Sequence, residues 1–312
     1  SQRGPLVFIP CHKSHIDYLI LSYVLHHNNM PCPHIAAGKN LSFWPMGPVF
    51  RSGGAFFIRR TFRGAVLYSK VFAEYVHKLL EEGFNMEFFI EGGRSRTGKL
   101  LQPKLGLLSI LLNAYKADAC DDLIFVPVYI GYDRVPEESS YLHELEGGEK
   151  KPESLSQVIK ARKALRRRYG RIYIQFHEPL SFNELLSQNG SSDPAKICFK
   201  EMTSKEQNKQ CRDLGNRLVN AIDRVTVITP HAIVASAALN CSKERFSRKY
   251  LMADIETYMN YLFSQNVTLA ETLLVDYIHA VEYVFDLYVQ RKFIERISKD
   301  KKRPSDEYYS VN

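Results

Sequence analysis

Short β-rich runs at residues 6–10, 34–37, 55–59, 86–91, 123–130 and 171–176 alternate with longer stretches of helical apolar spacing at 16–27, 65–82, 105–116 and 155–169. Strand–helix alternation of this kind predicts an α/β layered domain, a mixed sheet flanked by helices. The run Phe125-Val-Pro-Val-Tyr-Ile130 is apolar at every position, as expected of a strand buried on both faces. Pro127 has no N–H to give to a ladder, so a bulge or an edge position is expected there. Asn189-Gly-Ser-Ser-Asp-Pro194 reads as a loop. The expected layout is a layered α/β domain at 1–188, a linker at 189–204 and a helical C-terminal region at 205–312. That last region carries helical spacing at 205–225, 230–240, 248–264 and 269–297. The charged stretch 299–304 is expected to fray.

Composition limits the classes without choosing one. With 312 residues, 45% hydrophobic and 24% charged, the chain is globular and long enough for one large or two ordinary domains. A net charge of +8 and a pI near 9.0 point to anionic partners: nucleic acid, phosphorylated ligands or an acidic membrane surface. The six cysteines, at 11, 32, 120, 198, 211 and 241, include no CxxC and no zinc-site spacing, so reduced thiols and no metal are expected. No run reaches the ~18 uninterrupted apolar residues of a membrane span. The longest candidate, residues 225–239, is broken by Thr226, Thr229, Pro230, His231 and Ser236. The chain begins without Met, shows no signal-peptide pattern and enters an apolar run at Leu6, from which a piece of a longer protein is expected.

Pro10-Cys-His-Lys-Ser-His-Ile-Asp-Tyr18 follows the first strand and opens the first helix. Ser14 and Asp17 have capping-box spacing, with Ser14 as the N-cap. In that geometry a carboxylate in the first turn meets one nitrogen of His12, and the other nitrogen faces the open end of the sheet, where α/β folds bind ligands. This is the layout of a general base with an orienting acid. The spacing fits equally well a plain cap at Asp17 with His12 in a loop. His15 points elsewhere on a helix and is read as non-catalytic. Cys11 offers a covalent nucleophile instead, but neighbours on a strand end face opposite ways, so Cys11 is expected to be buried.

Basic residues gather downstream. Between Lys39 and Lys104 there are eleven Lys/Arg against five Asp/Glu. Gly53-Gly-Ala-Phe-Phe-Ile-Arg-Arg60 reads as a turn and a short strand ending in arginines, with Arg63 close behind. Glu91-Gly-Gly-Arg-Ser-Arg-Thr-Gly98 follows another apolar strand. Its glycines free the backbone to approach a ligand. Arg94 and Arg96 offer bidentate donors to phosphate, Ser95 and Thr97 add hydroxyls, and Glu91 is placed to accept from a substrate hydroxyl or to hold an arginine. The order of a P-loop is absent. A basic surface loop is the plainer alternative. A second cluster, Lys160, Arg162, Lys163, Arg166, Arg167, Arg168 and Arg171, fits either a solvated helix face or docking to anionic headgroups or an acidic carrier protein.

With these residues in place, the chain resembles the glycerol-3-phosphate acyltransferases, the large bacterial membrane-associated form most closely and animal dihydroxyacetone-phosphate acyltransferases more distantly. The likeness runs from Pro5 to Leu185 in four ordered blocks: His12-Lys-Ser-His-Ile-Asp17, Gly54-Ala-Phe-Phe-Ile-Arg-Arg60, Phe89-Ile-Glu-Gly-Gly-Arg-Ser-Arg96 and Val126-Pro-Val-Tyr-Ile130. His34-Ile-Ala-Ala-Gly-Lys-Asn-Leu-Ser-Phe-Trp-Pro45 also looks like the bacterial form. The resemblance implies His12 and Asp17 as the catalytic pair, and Arg59, Glu91, Gly92, Arg94, Ser95 and Arg96 as substrate contacts. It implies attack of the sn-1 hydroxyl of glycerol 3-phosphate on an acyl-CoA or acyl-carrier-protein thioester without an acyl-enzyme. No cofactor, no metal and no nucleic acid are expected, while an anionic membrane surface is, at the cytoplasmic face of a bacterial inner membrane. The bacterial enzymes carry a long N-terminal region that this chain lacks. Phe43, Trp44 and Phe50 are candidates for lining an acyl site, or for core. Dihydroxyacetone phosphate and lysophosphatidate are rival acceptors. Two further readings stay open on the residues alone. One is a basic module on anionic lipid or nucleic acid, with Phe56-Phe57 beside Arg59-Arg60 as a faint stacking platform. The other is a Cys11 thioesterase or peptidase.

Overall fold

The structure is a computed structural model that describes residues 4–59, 64–145, 170–187, 199–241, 245–265, 267–297 and 307–311. The chain forms two compact units, Ser1–Val225 and Thr226–Asn312.

In the first unit β1 (Leu6–Pro10), α1 (Asp17–His27), β2 (His34–Gly38), α2 (Met46–Ser52), β3 (Ala55–Ile58), α3 (Val66–Glu81), β4 (Met86–Glu87), α4 (Leu105–Lys116) and β5 (Ile124–Tyr132) follow one another. Then come α5 (Glu138–Leu145), β6 (Ile172–Phe176), β7 (Leu180–Ser181), α6 (Phe182–Ser187) and α7 (Ser204–Arg224). Among the described residues the sheet runs β3-β2-β4-β1-β5-β6, with β7 also on β5. The first five strands are parallel, and β6 and β7 join β5 antiparallel. The expected layered α/β domain with a mixed sheet is therefore present. Phe56 meets Phe72 and Tyr75 of α3, while Phe57 meets Arg51 of α2. Alternate strand residues face opposite ways, so helices cover both faces of the sheet. Val7, Ile9, Phe125, Val128 and Ile130 are fully buried at its centre.

Pro127 is not at an edge, but the expected irregularity is there: between the Val128–Phe176 and Phe125–Leu180 pairs two residues of β5 face three of the partner chain, a one-residue bulge opposite Pro127. Pro127 itself sits in β5 opposite Ile9 of β1. The pairing of β5 with β7 ends at Phe125 and that with β6 begins at Val128. The carbonyl of Pro127 points to this gap, where it accepts from the His177 N–H at 2.9 Å. The missing N–H thus falls on the side where no ladder bond is required.

The second unit holds α8 (Pro230–Leu239), β8 (Phe246–Ser247), α9 (Arg248–Ser264), α10 (Glu271–Gln290), β9 (Ile294–Ile297) and β10 (Tyr308–Val311). It is helical, as expected, but the helix read over 269–297 stops at Gln290. Lys292 turns at φ 61° and the chain returns as a strand in an antiparallel sheet of order β8-β10-β9. The boundary also differs from the expected linker. Helix α7 belongs with the sheet: Cys211, Leu214, Leu218, Ala221 and Ile222 are buried, and α7 packs on α4 and β5. At Gly215 a Cβ would come within 2.7 Å of Leu105. The predicted helix at 155–169, most of the linker, the basic cluster from Lys160 to Arg168 and the stretch 299–304 lie outside the described residues.

Candidate active site

Where β1 ends, the Cys11 N–H still bonds to the Val128 carbonyl at 3.0 Å, so the chain is extended up to His12. The His12 N–H donates to Glu91 Oε1 at 2.8 Å, and its carbonyl accepts from Ser95 N at 2.8 Å. The loop after β4 therefore grips the loop after β1 from both sides. Phe89 stacks flat on the His12 ring, with centroids 3.9 Å apart.

Helix α1 begins at Asp17 and has no side-chain cap. Ser14 is not the N-cap that the spacing predicts. The Asp17 carboxylate instead reaches back over the turn, and its Oδ2 accepts from His12 Nδ1 at 2.9 Å, Lys13 N at 2.7 Å and Ser14 N at 2.9 Å. The Tyr132 hydroxyl donates to Oδ1. Asp17 is fully buried, and these four donors stand in for the water it has lost. A carboxylate oxygen accepts here, so the hydrogen of the ring contact is on Nδ1, and in the neutral imidazole that tautomer leaves the lone pair on Nε2. The His12 side chain is 16% exposed: ordered, yet reachable.

Glu91 is 2% exposed and its second oxygen accepts from Leu101 N at 2.8 Å. Burial pushes its carboxyl up, and the N–H groups of Leu101 and His12 pull it back. It anchors two backbone segments rather than an arginine. Gly92 has φ 64°, where a Cβ would lie 2.8 Å from Lys104, so its place is explained by the turn itself. The Ser95 hydroxyl is buried without a hydrogen-bond partner.

The two arginines of this loop converge on one residue of α5. Arg94 Nη1 donates to the Tyr141 hydroxyl at 3.0 Å, and that hydroxyl donates to the Lys13 carbonyl at 2.9 Å. Arg94 also lies 4.0 Å from Glu137. Arg96 Nε pairs with Glu144 at 2.7 Å. Glu137 accepts from Ser14 Oγ at 2.8 Å and from His15 N at 2.8 Å. Sequence reasoning missed Tyr132, Glu137, Tyr141 and Glu144. The signals were present: Tyr132 is two residues past Ile130 on the same strand, and positions 137, 141 and 144 share one face at helical spacing.

Arg59 is not part of this cluster. It is exposed after the edge strand β3, with its guanidinium 4.7 Å over the Tyr68 ring. β3 and β1 are parallel members of one sheet separated by β2 and β4, so Arg59 and His12 leave the same edge three strand spacings apart, about 14 Å. Arg60 and Arg63 lie outside the described residues. Cys11 is fully buried, exchanges hydrogen bonds with Ile130 and has its thiol pushed up to about 12 by burial. A thiolate nucleophile is therefore disfavoured there. Trp44 is 79% exposed, which removes it from the core, and Phe50 packs edge-on to Tyr18.

A family described as acyltransferase matches residues 1–131. The glycerol-3-phosphate acyltransferase of Aeromonas hydrophila is 43% identical over 268 residues, covering 84% of this chain and 32% of that protein. Those of Pseudomonas putida and Pasteurella multocida are each 40% identical, covering 85% and 86% of this chain and 33% of theirs. The chain thus spans about a third of the length of the curated relatives it matches. Among solved structures, the 1-acyl-sn-glycerophosphate acyltransferase of Thermotoga maritima aligns with 72% of this chain and 68% of that one, at 19% identity and a TM-score of 0.36. The family described as glycerol-3-phosphate acyltransferase C-terminal region matches residues 141–311, more than half of the sequence, and the chain belongs to that family.

Proposed function

We propose that this chain carries the catalytic centre of a glycerol-3-phosphate 1-O-acyltransferase. The observation that carries the reading is the contact of His12 Nδ1 with a buried carboxylate, in a loop bonded directly to the one that bears Arg94 and Arg96. Arg94 and Arg96 hold the substrate phosphate, Glu91 and Gly92 set their loop, and the Ser95 hydroxyl is a further phosphate donor, while Arg59, three strands away, is not assigned to that phosphate.

Glycerol 3-phosphate presents its sn-1 hydroxyl to His12 Nε2. The oxygen attacks the carbonyl carbon of an acyl-CoA or acyl-carrier-protein thioester as Nε2 takes the proton. Asp17 keeps the ring oriented and balances the imidazolium. When the tetrahedral intermediate collapses, the C–S bond breaks and the departing sulfur takes the proton from Nε2. The products are the 1-acyl ester and the free thiol of the carrier. His12 is regenerated and no acyl-enzyme or cofactor takes part. The partners are glycerol 3-phosphate, the acyl carrier and an anionic membrane surface at the cytoplasmic face of a bacterial inner membrane. Nucleic acid is not a partner. Among the described residues no helix is long and apolar enough to cross a membrane. Support for surface contact comes from exposed Trp44, Val49, Leu67 and Val71 on segments that also bear Arg51 and Lys70.

The test is acyl transfer from long-chain acyl-CoA to glycerol 3-phosphate, dihydroxyacetone phosphate and lysophosphatidate in turn, with anionic phospholipid vesicles present. His12→Ala should cost roughly 10²–10⁴-fold with an unchanged circular dichroism spectrum. Turnover equal to that of the unaltered chain would refute the assignment.

A further inference from the structure

The loop with His12 and the loop with the arginines need a fixed separation, since a base that is a fraction of an ångström out of reach of the hydroxyl is a poor base however firmly the phosphate is held. Direct bonds between the loops run through backbone at Ser95 N and through Glu91. Neither touches a guanidinium. The Tyr141 hydroxyl does. It accepts from Arg94 Nη1 at 3.0 Å and donates to the carbonyl of Lys13, the residue after His12, at 2.9 Å. A phenol has one hydrogen to give and lone pairs to receive, so both bonds form together through one oxygen. The ring also faces both arginines, with the Arg94 and Arg96 guanidinium carbons 5.5 and 5.9 Å from its centroid, and Glu144, less than one turn further along α5, holds Arg96. Tyr141 is 5% exposed, so it has no free rotation in which to lose this geometry. Burial pushes the phenol up, which keeps the hydrogen that the bond to Lys13 needs.

We propose that Tyr141 is a positioning residue that sets the spacing between the His12 base and the arginine cradle. The proposal rests on the function proposed above. Tyr141 touches neither reacting atom in that scheme. It acts by joining the carbonyl beside the base to the side chain that grips the phosphate, across 128 positions of sequence.

Tyr141→Phe keeps the ring and removes both bonds. The arginines still hold phosphate, so KM for glycerol 3-phosphate should stay within about threefold while kcat falls about 10–100-fold, the scale of a small misplacement. A double-mutant cycle with Arg94→Ala tests the route. Once Arg94 is gone the tie has one end only, and adding Tyr141→Phe should cost no more than about twofold. A packing defect would lower the fraction of folded protein and leave the cycle additive. An unchanged kcat, a rise in KM alone, or additive losses would each overturn the proposal. Should Tyr141→Phe fail to fold, Arg94→Lys reads the same tie from its other end: the charge remains, the fixed fork is lost, and a wild-type kcat there overturns it. His12→Ala is run alongside. If that variant is active, both readings fall together. If it is inactive while Tyr141→Phe is unaffected, only this one falls.

Discussion

Replacing Glu87 by Gln should make the protein more stable, and increasingly so as pH rises. Glu87 lies on β4, between Phe8 of β1 and Ile35 of β2. It is fully buried and neither carboxylate oxygen has a hydrogen-bond partner. Burial, and then the negative charge of Asp17, push its carboxyl well above the usual carboxylate range. The folded protein therefore holds Glu87 neutral at pH values where the unfolded chain has released the proton. The sign follows from linkage. Below the unfolded carboxylate value of about 4.3, the side chain is neutral in both states and folding costs nothing in proton uptake. Above it, folding must take up a proton, and the stability contributed below is lost at about 1.4 kcal/mol per pH unit until the folded value is reached. Gln has no proton to exchange, and its amide is as unpartnered as the neutral acid. The gap in unfolding free energy between Glu87→Gln and the parent should thus widen from about pH 5 upward, with a limiting slope of about 1.4 kcal/mol per pH unit while the folded carboxyl stays protonated. Glu91 is also raised by burial, but it is common to both proteins and cancels in the difference. Urea unfolding followed by circular dichroism across this range reads the gap directly. A gap that stays constant with pH would show that Glu87 is ionised in the fold and would refute the reasoning.

Two further outcomes follow from the same site. Tyr132→Phe removes one of the four donors on the Asp17 carboxylate and should lower the unfolding free energy by about 1.5–3 kcal/mol, the worth of a bond to a charged group; a denaturation midpoint equal to that of the parent would contradict this. Cys11→Ser should retain acyl transfer within about tenfold, because a thiol raised to about 12 holds almost no thiolate near neutrality. Mass spectrometry of the parent during turnover should find no acyl group on Cys11, and an adduct there would restore the nucleophile reading.

The parallel strands were legible because each is a short apolar run punctuated by a helix of clear period, and β1, α1 and α4 fall within a residue of expectation. Helix α5 was not, because Glu138-Ser-Ser-Tyr-Leu-His-Glu-Leu145 is polar on most faces and its partners are arginines rather than a greasy surface. The end of α10 was hidden for another reason. A Lys at φ 61° makes the turn that a Gly would have announced, and the isoleucines of Ile294-Glu-Arg-Ile297 are three positions apart, a helical spacing that does not show the alternation of a strand. At the site, the spacing of His12 and Asp17 was readable but not the direction in which Asp17 turns. Helix capping and imidazole holding use the same residue at the same offset. Only burial, with Lys13 N, Ser14 N and Tyr132 on the carboxylate, separates them. Arg59 shows the converse: block order placed it with Arg94 and Arg96, but strand order leaves it three strands from β1.

The docking of α5 onto the loops after β1 and β4, and of α7 onto β5, has a consequence for how the chain is made. A ribosome that has released the polypeptide only as far as β5 holds a sheet with one raw rim, since β6 and β7 supply the other partner of that strand and α7 lies against it later still. Lys13 and Arg94 have emerged by then, but the phenol that joins them has not. The loop after β1 therefore lacks this tie until synthesis has passed well beyond its own residues.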